Sequence, residues 1–440
     1  MDKHSDLINA AREVLDINDL GSYTVPSREL YPHQWLWDSC FIAIGLANYD
    51  TDRAKTEILS LINGQWSNGM LPNVIFAKSS DHSKDADIWK SWLSPFSPDH
   101  LSTSGITQPP MLAEAIVRIG QKLSIAERRS WYRTVFKPLL AYHSWLYNER
   151  DPHQEGLVLL VHPWECGLDN TPPWMSELHS HLMPWWIRLI EKLRLDWVIN
   201  LLRRDTRHVS VEQRPSAIEA LTLFSVQKRL MRKAYNVDKI LTHSLFAIED
   251  LTFNSILIRA NEHLLDIAKT IKEEVPKELI QQMEKTESAL EQLWDPYTNQ
   301  YYSRNFVTHD LIKEPSIAAM MPLYAGVISK DKADKITQML ENKRLFGPAY
   351  PVPSAPINSP WFRATGYWQG PTWMNTNWLI IDGLHRMGYT SHADALSEVS
   401  VELVNRSGFY EYYDPTTGDP AGIDNFSWTA AVTVDLLSKK

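Results

Sequence analysis

Four short stretches combine aromatic rings with carboxyls or amides: "YPHQWLWDSCF" (Tyr31 to Phe41), "WECGLDNTPPW" (Trp164 to Trp174), "PWFRATGYWQGPTWMNTNW" (Pro360 to Trp378) and "GFYEYYDPTTGDPAGIDNFSW" (Gly408 to Trp428). In the second, Glu165 and Asp169 stand between tryptophans, among glycines and prolines. A carboxyl that water reaches poorly has its pKa pushed upward, which makes a proton donor for neutral pH. In the fourth, Glu411 is flanked by Tyr410, Tyr412 and Tyr413, whose hydroxyls are expected to orient it as a charged base. One carboxyl that gives a proton and one held charged are the parts of general acid–base chemistry. Sugars need such mixtures, because their C–H faces stack on rings while their hydroxyls need polar groups fixed in direction. Eighteen tryptophans in 440 residues, clustered beside Asp, Asn and Gln, favour a polar cleft over core packing alone.

The elements that must position these stretches are helical. Apolar residues recur at three- and four-residue spacing in Leu7 to Leu15, Phe41 to Leu46, Ala54 to Ile62, Met111 to Leu123, Trp131 to Leu146, Trp185 to Leu201, Ile218 to Met231, Ile240 to Leu265, Leu279 to Leu293, Ile336 to Leu340, Trp373 to Met387 and Ala393 to Val404. Asp50, Ser329 and Ser391 read as N-caps. Strand-like alternation is scarce, no Gly/Ser linker divides the chain, and no period of repeat length is visible. The expected fold is all-α, one domain over residues 1–440: a toroid of helical hairpins, an α/α barrel, with long loops forming the rim of the site.

Composition excludes several classes. With 44% hydrophobic and 22% charged residues, a formal net charge of −9 and no long Lys/Arg cluster, nucleic acid is a poor partner. Cys40 and Cys166 make neither a disulfide framework nor a zinc site, which points to a reducing, cytoplasmic setting. The N-terminal stretch spaces charges through an amphipathic pattern, unlike a signal peptide. The most apolar segment, "HLMPWWIRLIEKLRLDWVINLL", contains Arg188, Glu191, Lys192 and Arg194, so no membrane span is expected. His33 and His162 read as structural histidines. No metal or cofactor is called for, and the sequence leaves room for a homo-oligomer.

Taken together, "WLWD", "ECGLDN", "GYWQGPTWMNTNWL" and "EYYDPTTG" resemble glycoside hydrolase family 63, in particular its smaller members that hydrolyse mannosylglycerate and glucosylglycerate. The resemblance implies an (α/α)6 barrel and hydrolysis of an α-glycosidic bond with inversion. Carried onto this chain, it makes Asp169 the general acid and Glu411 the general base. It implies that Asp38 binds sugar hydroxyls and that Gln108 is a further contact. Tyr367, Trp368 and Gln369 are the sugar-contacting candidates of the third stretch, and Tyr31, Trp35, Trp37, Trp164 and Gly167 complete the set. Asn375 and Asn377 read as packing at a helix start.

Each position also has a plainer role. Glu165 is the alternative acid, Asp169 a turn cap, Asp38 an N-cap, Gln108 a lead into the Pro109-Pro110 helix start, and Asp414 a turn former. For the aglycone, Arg214 resembles the position where glycerate-specific relatives carry Arg-Pro, and a guanidinium suits a carboxylate. Six positions on, those relatives tend to have Tyr where this chain has Ala220. If Arg214 is the clamp, Arg214→Ala is expected to raise KM for the acidic glycoside alone. Alternatives are an α-glucosidase acting on glucosylglycerol or a short oligosaccharide, a trehalase-like enzyme, and a non-catalytic carbohydrate-binding protein. Two long segments, Asn63 to Asp85 and Arg344 to Phe362, read as lids whose Trp66, Tyr350 and Trp361 close over the substrate.

Overall fold

The protein was analysed as a computed structural model that describes residues 3–78, 84–242, 244 and 246–438. Among these residues it contains seventeen α-helices. Six form an inner ring: α2 (Leu36–Leu46), α4 (Leu112–Gln121), α11 (Leu251–Ile271), the short α13 (Pro322–Ala325), α15 (Met374–Arg386) and α17 (Ser427–Ser438). Each packs against the next, and α17 returns to α2, closing the ring. The outer ring consists of α1 (Lys3–Ile17), α3 (Thr51–Asn63), α5 (Ile125–Arg150), α12 (Lys277–Ala289), α14 (Lys330–Glu341) and α16 (Thr390–Ser407). This is the (α/α)6 barrel expected from the sequence.

The two rings differ in pattern because they differ in burial. Outer α3 buries Ala54, Glu57, Ile58 and Leu61 on one face and leaves Asp52, Thr56, Leu59 and Asn63 exposed, so its stripe is legible. Inner α2 is buried at every position from Leu36 to Leu46 and α17 from Ser427 to Leu437. Their closest approach is set at Gly45, where a Cβ would lie 2.5 Å from the Ala431 Cα. Only glycine permits that contact. One apolar cluster then extends from Leu7 to Leu437.

Asp50 and Ser329 are the caps expected, accepting from the Arg53 and Lys332 amides. At α5 the structure adds a capping box of Ser124 and Glu127. Ser391 is not a cap, since α16 begins at Thr390. Two expected helices are broken. Trp185 to Leu201 divides into α7 (Trp185–Lys192) and α8 (Asp196–Leu202) at Arg194, which has φ 53°. Ile240 to Leu265 divides into α10 (Val237–Leu241) and α11, because Ile248 and Glu249 form a strand between Leu159–Leu160 and Arg304–Asn305. With α6 (Pro172–Glu177) and α9 (Ala217–Arg232), the helices α7, α8 and α10 fill the long insertion between α5 and α11.

Candidate active site

A cavity of about 670 Å³ opens where the first turns of inner helices meet the insertion. Trp37 and Asp38 come from the first turn of α2, Gln108 precedes α4, Tyr367 and Trp368 precede α15, and Trp428 opens α17. Asp169 and Gly167 come from the loop before α6, and Arg214 and Ala220 from the start of α9 and the turn before it. Tyr31, Trp35 and Trp164 complete the aromatic lining.

Asp169 is half-buried on the cavity wall. Desolvation, together with the nearby Glu411 charge, pushes its pKa up to about 7 against the opposing pull of Arg214 and a hydrogen bond from Tyr367. An acid shifted this far is still protonated in about half of the molecules at pH 7. Glu411 lies just behind the wall, 1% exposed. Tyr31 donates its O–H to Glu411 Oε1 at 2.7 Å, and Arg214 Nη1 lies 3.3 Å from the same oxygen. Burial raises the Glu411 pKa, opposed by Arg214 and the Tyr31 hydrogen bond, both of which favour the carboxylate. The Tyr31 and Tyr367 hydroxyls are 3.4 Å apart, so two phenols connect the carboxyls of Asp169 and Glu411. Arg214 is gripped between these rings, its guanidinium 4.4 Å from the Tyr367 centroid and 5.5 Å from that of Tyr31.

The floor is aromatic. Trp368 stacks on Trp373 at 3.8 Å, and Trp37 stands edge-on to Trp428 at 5.5 Å. Gly167 is required beneath Trp37: its φ is 74°, and a Cβ there would lie 2.7 Å from the indole. Asn170 ties two of the motif loops together, its Oδ1 accepting from the Trp368 amide at 2.9 Å. The buried N–H groups of Trp35 and Trp428 have no partner among the described residues. Unpaired buried donors are uncommon and mark places where water or a ligand hydroxyl completes the bonding.

The family described as mannosylglycerate hydrolase MGH1-like glycoside hydrolase domain matches residues 31–429. The chain belongs to this family of glycoside hydrolases. It is 37% identical to a mannosylglycerate hydrolase of Rubrobacter radiotolerans, over 99% of this chain and 97% of that protein. It is 30% identical to a glucosylglycerate hydrolase of Mycolicibacterium hassiacum, over 96% and 95% of the two chains. A crystal structure of the family 63 mannosylglycerate hydrolase of Thermus thermophilus, in complex with Tris and D-glycerate, superposes with a TM-score of 0.87 at 37% identity, covering 98% and 99% of the chains.

In this glycoside hydrolase, Glu165 is a structural carboxylate. It is fully buried and held by Arg150 Nη2 at 2.7 Å, Arg150 Nη1 at 2.9 Å and the amides of Val161 and Thr107. Every oxygen is engaged away from the cavity, which removes it as the alternative acid. Glu165→Gln leaves the Arg150 charge buried without its counter-ion, so thermal or denaturant unfolding should show a loss of about 3 to 5 kcal/mol.

Other expectations need correction. Gln369 does not line the cavity: its Oε1 accepts from Arg363 Nε at 2.9 Å, and its Nε2 is buried without a partner among the described residues. The tyrosines beside Glu411 do not orient it, because Tyr412 donates to the Gln213 carbonyl and Tyr413 to the Gly408 carbonyl. Tyr412, the next residue on the extended segment, points to the opposite face, Tyr413 is turned to Gly408, and the orienting phenol comes instead from Tyr31. Asp38 is no N-cap, since α2 begins two residues before it; burial raises its pKa well above normal, reinforced by Glu411 and Asp169. Asp414 is the expected turn former, accepting from the Thr416 and Thr417 amides, and Asn377 packs as expected, bonding Val352 and Ser400. His162 is structural: desolvation lowers its pKa to about 4 and it contacts the Leu223 carbonyl.

The lid aromatics are placed elsewhere. Trp66 is buried and donates to Thr103, Tyr350 meets Arg406, and Trp361 stacks on His179, so none lines the cavity. Residues 79–83 of the first segment lie outside the described residues. Sequence reading missed Trp89, Phe224, Phe426, Trp428 and the turn Arg203 to His208, all on the wall. Phe426 and Trp428 stood at the end of a quoted stretch and were the visible signals; the turn has no motif.

Proposed function

We propose that this hydrolase cleaves the α-glycosidic bond of a small hexosyl acid, of the mannosylglycerate or glucosylglycerate type, with inversion, releasing the sugar and glycerate. The observation that carries the reading is the placement of Asp169 on the cavity wall and of Glu411 just behind it, with the Tyr31 and Tyr367 hydroxyls between them. Asp169 protonates the leaving oxygen of the aglycone. Glu411 takes a proton from water as that water attacks the anomeric carbon from the opposite face. Trp37, Trp368 and Tyr367 form the platform for the ring, with Asp38, Gln108 and the two unpaired indoles toward its hydroxyls.

Arg214 supports an acidic aglycone. It is charged, gripped by two phenols and lines the same cavity, and the Thermus relative binds D-glycerate. The structure changes the expected outcome of its removal. Because Arg214 also lies 3.3 Å from Glu411, Arg214→Ala disturbs the base as well as the clamp. Turnover should fall for acidic and neutral glycosides alike, and the acidic one should lose a further ten- to a hundredfold in kcat/KM. Measuring hexosylglycerate and hexosylglycerol on wild type and variant checks this; equal losses would remove Arg214 from aglycone recognition.

The reading takes residues 1–440 as one catalytic domain, supported by the continuous core. Among the described residues no helix is long and apolar enough to cross a membrane. Two free buried cysteines support a cytoplasmic setting. Exposed Trp185 (76%) and Trp197 (59%) on α7 and α8 support a homo-oligomer.

A further inference from the structure

The rim of the cavity carries charge that hexosylglycerate hydrolysis does not use. The turn from residue 203 to 208 places Arg203, Arg204, Arg207 and His208 on the wall with one acid, Asp205. Most of these charges are answered. Asp205 is met by Arg203 at 2.5 Å and by Arg214 at 3.5 Å, Arg204 meets Asp85 at 3.1 Å, and His208 faces Glu29 at 3.5 Å. Two are not. Lys84 and Arg207 line the same cavity, are exposed, and have no side-chain hydrogen bond or ion pair among the described residues.

In a chain of formal net charge −9, two unanswered cations on the wall of one ligand cavity run against the overall balance. The wall also carries Glu29, Asp38, Asp85, Asp169 and Asp205, and Lys84 and Arg207 are the cations on it that none of these acids meets among the described residues. There is also room: the cavity of about 670 Å³ exceeds what a hexose joined to a three-carbon acid fills, and Ala220 presents only a methyl group to the same wall.

We propose that the aglycone site takes a small acid bearing a second anionic group, with Arg214 meeting the first carboxylate and Lys84 and Arg207 binding the second charge. This rests on the acidic-aglycone reading of Arg214. A phosphomonoester and a second carboxylate present the same chemistry to these cations, as charged acceptors for ammonium and guanidinium donors.

Calorimetric titration of the intact protein, at fixed ionic strength, with glycerol, glycerate, tartronate and 3-phosphoglycerate separates the cases. Tartronate or 3-phosphoglycerate should bind at least about tenfold more tightly than glycerate. Which of the two is favoured distinguishes carboxylate from phosphate. In the Lys84→Ala/Arg207→Ala double variant, both substitutions at exposed sites, the ratio should fall to about one. Equal wild-type affinity for glycerate and both dianions, or an unchanged ratio in the double variant, overturns the proposal while leaving the hexosylglycerate reading intact. Glycerate binding no better than glycerol overturns both.

Discussion

Replacing Glu411 by Gln lowers kcat by about 10²- to 10⁴-fold, the contribution typical of a general base. Gln keeps the shape of the side chain and can still accept from Tyr31, so the loss reports removal of a proton acceptor rather than of a contact. Circular dichroism should show an unchanged fold. Glu411 works as a base only when deprotonated; burial lifts its pKa, and Arg214 and Tyr31 hold it down. Activity of the wild type is therefore lost as pH falls through the Glu411 pKa, and this acidic limb should be absent from the residual activity of the variant. Near wild-type turnover in Glu411→Gln would reassign the base.

Asp169→Asn should cost about as much, but with a different dependence on the leaving group. A glycosyl fluoride leaves without protonation, so it should be hydrolysed by the variant far better, relative to wild type, than the natural glycoside is. The pH effect has the opposite sign to that of Glu411. Desolvation raises Asp169 to about 7, so the proton needed for catalysis is present below that pH and lost above it. A basic limb near pH 7 belongs to this residue and should vanish in the variant. Stability follows the same linkage. The folded state holds a proton that the unfolded chain, with an ordinary Asp pKa of about 3.9, releases first, so stability falls as pH rises from about 4 to about 7. Asn carries no such penalty, and the variant should unfold at a higher temperature than wild type at pH 8. Equal fluoride and glycoside losses would place Asp169 outside leaving-group protonation.

How much of this was legible in the sequence depended on burial. Outer helices such as α3 and α14 alternate between core and solvent, so their apolar stripes appear at the right spacing. Inner α17 has the sequence "SWTAAVTVDLLS" and is covered on almost every side, so no polar face remains to reveal its period; it was not among the helices expected. For the same reason α2 starts five residues before its legible part. The site was legible where resemblance supplied a motif. Asp169 and Glu411 lie 242 positions apart, and nothing local predicts that Tyr31 and Tyr367, rather than the neighbouring tyrosines, would connect them. Glu165 illustrates the limit from the other side. Its composition and setting match those of an acid, and only its bidentate contact with Arg150, fifteen residues earlier on α5, shows it to be structural.

The central claim is inverting hydrolysis of an α-hexosylglycerate by the Asp169 and Glu411 pair, and proton NMR during the first minutes of hydrolysis tests it most directly. Mannosylglycerate and glucosylglycerate are each incubated with the enzyme, and the anomeric signal of the freed sugar is followed before mutarotation. The expected result is the β-anomer appearing first, together with free glycerate, from at least one of the two. First appearance of the α-anomer, or no release from either substrate, would contradict it.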